Sequence, residues 1–152
     1  MSEGTIPRKP RPILLADDDP EDQMFAREAF TACRLANEVF VVEDGHQLLD
    51  YLRNVGDYAD PIRAPRPAII LLDLKMPRMG GLEALEQIKA DPSLRRIPVV
   101  VLTTSGVDED ISRSYDLGVS SFIRKPVTFE GLVEAIRGLG SYWFELVELP
   151  GE

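Results

Sequence analysis

The sequence predicts an α/β protein: a (βα)5 doubly wound parallel sheet in which five strands and five helices alternate, with strand order 2-1-3-4-5. Three observations carry that prediction. Five short apolar runs recur along the chain, and none has polar alternation inside it; such runs read as strands covered on both faces, as in parallel sheets. Segments of helical period separate the runs. A length of 152 residues allows one ordinary domain with a real core and is too short for two.

The elements follow in order. "ILLA" (13–16) is the first strand. Asp19 then stands as an N-cap and Pro20 at the first helical position, with Asp22 at the N3 place of a capping box; Met24, Phe25, Ala29, Phe30 and Cys33 make the inner face of the first helix. "VFVV" (39–42) is the second strand, and Asp44 caps a second helix carrying Leu48, Leu49 and Leu52. A long proline-bearing loop, "NVGDYADPIRAPRP" (54–67), leads to the third strand, "AIILL" (68–72). The third helix, Gly81 to Ala90, sets Leu82, Leu85 and Ile88 at three-residue steps and stops at Asp91-Pro92, since proline disfavours helical geometry in the residue before it. "VVVL" (99–102) is the fourth strand, followed by a polar helix from Asp108 to Leu117 that ends at Gly118; "SFI" (121–123) is the fifth, and Thr128 caps the last helix. Right-handed crossovers turn this order into an open sheet with helices on both faces, the flavodoxin-like arrangement. Its working crevice lies at the carboxyl ends of the strands, beside the first strand. Residues 1–10 are expected to form a flexible segment, 11–140 the domain, and 141–152 an extension beyond it.

With 17 basic and 26 acidic residues the formal charge is −9. That balance argues against nucleic acid as a partner, because phosphate backbones are bound by basic surfaces. The N-terminus has no apolar run long enough for a signal peptide, and no stretch of eighteen apolar residues offers a membrane span. The lone cysteine, Cys33, rules out an internal disulfide and fits a reducing compartment. The expectation is a cytoplasmic protein without a membrane segment.

The chemistry concentrates at the strand ends. "LLADDDPED" (14–22) piles acids after a strand that reads as buried. Two unit charges about 4 Å apart repel by roughly 4 kcal/mol at an effective dielectric near 20, so the cluster asks for a cation. Asp17 and Asp18 close the first strand, Asp73 the third, Thr103 the fourth and Lys125 the fifth, and in a parallel sheet these side chains converge. Three carboxylates make a hard oxygen cage suited to Mg²⁺, which takes one or two carboxylates and keeps several waters. A carboxylate beside such an ion, with a hydroxyl and an ammonium aimed at it, is equipped to attack a phosphoryl group, and Asp73 is the candidate nucleophile.

Over about residues 11–140 the chain resembles the receiver domain of two-component response regulators, the CheY-like family. The residues that carry the resemblance are Asp17-Asp18, the acceptor in "LLDLKMPRMGG", the threonine of "VVVLTTS" and Lys125-Pro126. The intervals, thirty residues from Asp73 to Thr103 and twenty-two from there to Lys125, agree with the family. The resemblance implies that Asp73 accepts a phosphoryl group from a sensor histidine kinase. It implies that Asp18 and Asp73 bind Mg²⁺ through their side chains, Lys75 through its backbone carbonyl, and Asp17 through water. Thr103 and Lys125 would bond the phosphoryl oxygens, and Lys125-Pro126 would be a cis peptide. The family's switch pair falls on Thr103 and Phe122; a phenylalanine cannot make the hydroxyl bond a tyrosine makes there. "VLTTS", the 54–67 loop and the aromatic tail ending "ELP" are similar to receivers that serve phytochrome-type kinases.

Other residues read more plainly. Asp19 is a cap without a metal role, and His46, the only histidine, is a solvated residue early in the second helix, so the donor histidine belongs to another protein. Only twelve residues follow Gly140, which points to output by protein contact. Tyr142, Trp143, Phe144, Leu146, Val147 and Leu149 exceed what the receiver core needs, and predict a homodimer through the tail and helices four and five. A dehalogenase-type phosphatase would want an acid at position 75, where Lys75 stands, and a flavin protein would want a phosphate loop where "DDDPED" repels phosphate. The surviving rival is a non-phosphorylated pseudo-receiver that acts as a scaffold.

Overall fold

The computed structural model describes residues 12–33, 37–104, 108–125 and 128–139. Strands β1 (Ile13–Ala16), β2 (Val39–Val42), β3 (Ile69–Leu72), β4 (Val99–Thr103) and β5 (Ser121–Arg124) alternate with helices α1 (Pro20–Ala32), α2 (Gly45–Arg53), α3 (Gly81–Ala90), α4 (Asp108–Asp116) and α5 (Phe129–Leu139). All strand pairs are parallel, in the order β2-β1-β3-β4-β5 expected from the alternation.

Side chains alternate across this sheet with the period of two that strand geometry imposes. Leu14, Ala16, Ile70, Leu72, Val99 and Val101 face a core closed by Leu48, Leu85 and Ile88 of α2 and α3. Ile13, Leu15, Ile69, Leu71, Val100 and Leu102 face the opposite core, closed by Ala26, Ala29 and Phe30 of α1 and by Leu132 and Ile136 of α5. That second layer is why β1 and β3 are apolar throughout and β4 is apolar up to Thr103. The outer strands are only half covered: Phe40 and Val41 of β2 and Ser121 to Ile123 of β5 are partly exposed, as edge positions allow.

Two details of α1 differ from expectation. Met24 is 57% exposed and lies off the inner face; at about 100° per residue it stands about 160° round from Ala26, the centre of the buried stripe. The capping box does not form either. Asp19 caps as expected, accepting from the Glu21 N–H at 2.9 Å. Its own N–H is already held by Asp17 Oδ1 at 3.0 Å, and Asp22 is bonded elsewhere.

Other caps form where the sequence placed them. Asp44 Oδ1 accepts from the Gln47 N–H at 2.8 Å, and Thr128 Oγ1 from the Gly131 N–H at 2.9 Å. The 54–67 loop is tied down: the Tyr51 hydroxyl donates to the Pro65 carbonyl at 2.9 Å, and Asn54 Nδ2 donates to the carbonyls of Tyr58 and Ala64 at 3.1 and 3.0 Å. Asn54 itself takes the left-handed conformation, φ 54°, that ends α2. Among the described residues no helix is long and apolar enough to cross a membrane. The expectations for 1–10, for Pro126 and for the 141–152 extension lie outside the described residues.

Candidate functional site

Parallel pairing brings the carboxyl ends of β1, β3, β4 and β5 to one edge of the sheet. Backbone bonds carry the register past the strand ends: Asp17 N–H to the Val42 carbonyl at 3.0 Å, Asp73 N–H to Ala16 at 2.9 Å, and Lys125 N–H to Thr103 at 2.6 Å. Side chains one residue beyond each ladder are therefore fixed by the sheet itself.

Asp73 sits at the centre. Its Oδ1 accepts from the Thr103 hydroxyl at 2.7 Å and from the Lys75 N–H at 3.0 Å, whereas Oδ2 faces Lys125 Nζ at 3.4 Å. One oxygen is thus held by two neutral donors and the other is turned to a cation. Thr103 is fully buried, Asp73 and Lys125 nearly so. The Lys125 ammonium has three protons and three carboxylates: Asp17 Oδ2 and Asp22 Oδ2 at 2.8 Å each, and Asp73. Burial works against its charge, but the bonds to Asp17 and Asp22 and the charges of Asp17 and Asp73 outweigh it and raise its pKa. Asp17 goes the same way for another reason. Burial lifts its carboxyl above the usual range and neighbouring Asp73 adds to this, against the pull of Lys125 and the Asp19 N–H.

Carboxylate oxygens of Asp17, Asp18 and Asp73 all lie within 4.8 Å of one another; Asp18 is exposed and the other two are buried. An all-oxygen donor set of this size, open on the Asp18 side, fits a small hard divalent cation. Among the described residues this group of possible ligands contains carboxylates only, with no histidine or cysteine in it.

The residues named from sequence come together as expected at Asp17, Asp18, Asp73, Thr103 and Lys125. Lys75 contributes its backbone to Asp73 and leaves its side chain in solvent. Phe122 is half-buried on β5 and packs against the core on the α2–α3 side, in register with Val101. His46 is exposed. Asp22 was missed as a site residue. An acid in the first turn of a helix reads as a cap or a partner for the helix dipole, and the only signal to the contrary is its place four residues after Asp18. A cavity of about 120 Å³ lies beside Lys125, between α1, α5 and the sheet, lined by Asp17, Asp22, Phe25, Leu102 and Leu132.

Comparison with known proteins agrees with this arrangement. Rcp1, a response regulator of Synechocystis sp., is 37% identical over 150 residues, which cover 99% of each chain. The Mn²⁺-bound structure of Rcp1 superposes with a TM-score of 0.81 at 37% identity over 93% of this chain and 100% of that one. The phosphorylated cyanobacterial phytochrome response regulator RcpA gives 0.83 at 40% identity, over 94% and 100%. The bacteriophytochrome response regulator AtBRR gives 0.73 at 46% identity, over 90% and 96%. Residues 13–137 match the response regulator receiver domain, and the chain belongs to that family.

Proposed function

We propose that the chain is a phosphoacceptor switch: Asp73 takes a phosphoryl group from the phosphohistidine of a phytochrome-type sensor kinase, and the protein then signals by contact with other proteins. The single observation that carries this reading is the asymmetric dressing of Asp73, with Oδ1 fixed by Thr103 and Lys75 and Oδ2 left facing a cation. In the reaction a carboxylate oxygen attacks phosphorus, the P–N bond to the donor histidine breaks, and its electron pair returns to the imidazole. Lys125 and the Thr103 hydroxyl turn from Asp73 to the arriving phosphoryl oxygens. Asp18, Asp73, the Lys75 carbonyl and, through water, Asp17 would hold Mg²⁺. Bound there, the ion supplies charge neutralisation at the phosphoryl oxygens. Phe122, the half-buried ring of β5, is the residue we assign to follow Thr103 when that hydroxyl moves.

Similarity to the phosphorylated cyanobacterial phytochrome response regulator RcpA and to the Mn²⁺-bound response regulator Rcp1 supports the assignment. Incubation with a small phosphodonor in Mg²⁺ is expected to place one phosphoryl group on Asp73, located by mass spectrometry. Label that survives Asp73→Asn, or that forms equally in excess chelator, overturns the reading; no label at all leaves the scaffold. The homodimer through α4, α5 and the tail belongs to the same proposal, and rests on the apolar residues of the tail sequence. Light scattering after size exclusion is expected to report two copies, and a chain monomeric at tens of micromolar removes that part.

A further inference from the structure

The loop that follows Asp73 is pinned at two places. At its base Gly81 N–H donates to the Leu74 carbonyl at 3.0 Å, and a Cβ on Gly81 would come within 2.5 Å of the Asp73 carbonyl oxygen, so only glycine allows this closure. At its tip the contacts run to a different element. Gly45, the first residue of α2, donates its N–H to the Met79 carbonyl at 2.8 Å, and a Cβ there would meet Met79 atoms at 2.6 and 2.7 Å. Next to it Arg78 Nε donates to Asp44 Oδ2 at 2.7 Å, and Nη2 reaches the same oxygen. Lys75 lies between the two pins.

Arg78 holds φ at +62°, the left-handed region that a side chain enters at a cost. Glycine would adopt it freely, as the residue type usual in such turns. What arginine adds is its head group, and that head group meets a carboxylate only 2% exposed whose other oxygen caps α2. Asp44 follows β2 and Arg78 follows β3. Between those strands runs β1, which ends on Asp17 and Asp18. The pair therefore ties the two flanks of the acidic cluster to each other without belonging to it.

We infer that Asp44 and Arg78 are positioning residues for metal loading: they clasp the loop to the start of α2, hold the Lys75 backbone in place, and so set the affinity for a divalent cation they do not touch. This rests on the metal site proposed above. Calorimetric titration of the full chain with Mg²⁺ tests it, using Asp44→Asn, Arg78→Ala, Arg78→Gly, the Asp44→Asn/Arg78→Ala double variant and Asp18→Ala. Asparagine keeps the cap of α2, and glycine relieves the strain at position 78, so these two protect the fold. Each single change is expected to weaken Mg²⁺ binding about tenfold, the size typical of outer-shell partners of a metal site. The double variant should be no weaker than the worse single one, since both changes break one contact. Circular dichroism at the titration temperature checks that every variant is folded. Affinities within twofold of the parent in Asp44→Asn and Arg78→Gly, with Asp18→Ala losing binding, overturn the inference and leave the metal site standing. Binding by Asp18→Ala at parental affinity overturns the metal site and the inference together.

Discussion

Asp17 and Asp44 are each 2% exposed and each stands just past the end of a strand, yet their carboxyls are pushed in opposite directions. Burial is the largest influence on both and raises both. At Asp44 the Gln47 N–H, the Arg78 guanidinium and the His46 N–H together outweigh it, and the pKa falls below the usual carboxylate range. At Asp17 the Asp19 N–H and a lysine shared with two other acids do not suffice, and Asp73 adds a like charge. The fold itself compensates Asp44 for its burial. At Asp17 it does so only in part, and the carboxylate charge left over is what the proposed metal ion would offset.

The largest effect should come from removing the cation the cluster does have. In chelator, Lys125→Met leaves Asp17 and Asp73 buried without a counter-ion, and breaking such a pair costs about 3 kcal/mol. Urea denaturation with and without Mg²⁺ measures this. The ion should recover more stability in the variant than in the parent; an equal gain in both would mean that lysine and metal do not serve the same carboxylates.

Asp44→Asn sharpens the other side. A depressed pKa adds stability that is fully present above the unfolded-state value and is lost as pH falls through the folded value. The variant should therefore lose about 1.5 kcal/mol at pH 7, the worth of a hydrogen bond to a charged group. On acidification below the usual carboxylate range the gap to the parent should close. A loss that persists undiminished in acid would assign the effect to packing. A smaller contrast separates neighbours in one run: Asp19→Ala should cost about 1 kcal/mol as a lost cap while keeping the metal site, whereas Asp18→Ala should abolish Mg²⁺ binding in the same titration.

The fold was legible because a doubly covered parallel sheet leaves apolar runs of a kind that few other arrangements need, and because Asp44, Asp19 and Thr128 each cap a helix by strictly local chemistry. The five-residue constellation was legible for the same reason: strand order alone brings strand ends together. What escaped depends on distances between segments remote in sequence. Lys125 reaches Asp22 from a position 103 residues away, and Arg78 reaches Asp44 across 34. Neither residue type nor local spacing announces those partners. Met24 escaped for a smaller reason: an apolar residue one turn into a helix is assigned to the core by composition, while the face is set by where Ala26, Ala29 and Phe30 dock.

The finest test of the comparison is Asp17→Asn, where the effect is smallest and its sign changes with conditions. A raised carboxyl pKa means that the neutral form is the one the fold favours. The stability tied to it is present below the unfolded-state value and lost as pH rises through the folded value. A neutral isostere escapes that loss, so in chelator at pH 7 Asp17→Asn should match the parent or exceed it by under about 1 kcal/mol, within the range of mild substitutions. The lost bond to Lys125 offsets part of the gain, and only part, because the lysine keeps Asp22 and Asp73. Mg²⁺ should reverse the order. A ligand at a hundred times its Kd adds about 2.7 kcal/mol to a protein that binds it only when folded, and a variant with one acid fewer in the cluster binds it less tightly. Denaturation of both chains in chelator and then in saturating Mg²⁺ should show the variant level or ahead in the first and behind in the second. A variant that stays behind in both would mean that Asp17 is a structural acid like Asp44, and the contrast between the two would fall.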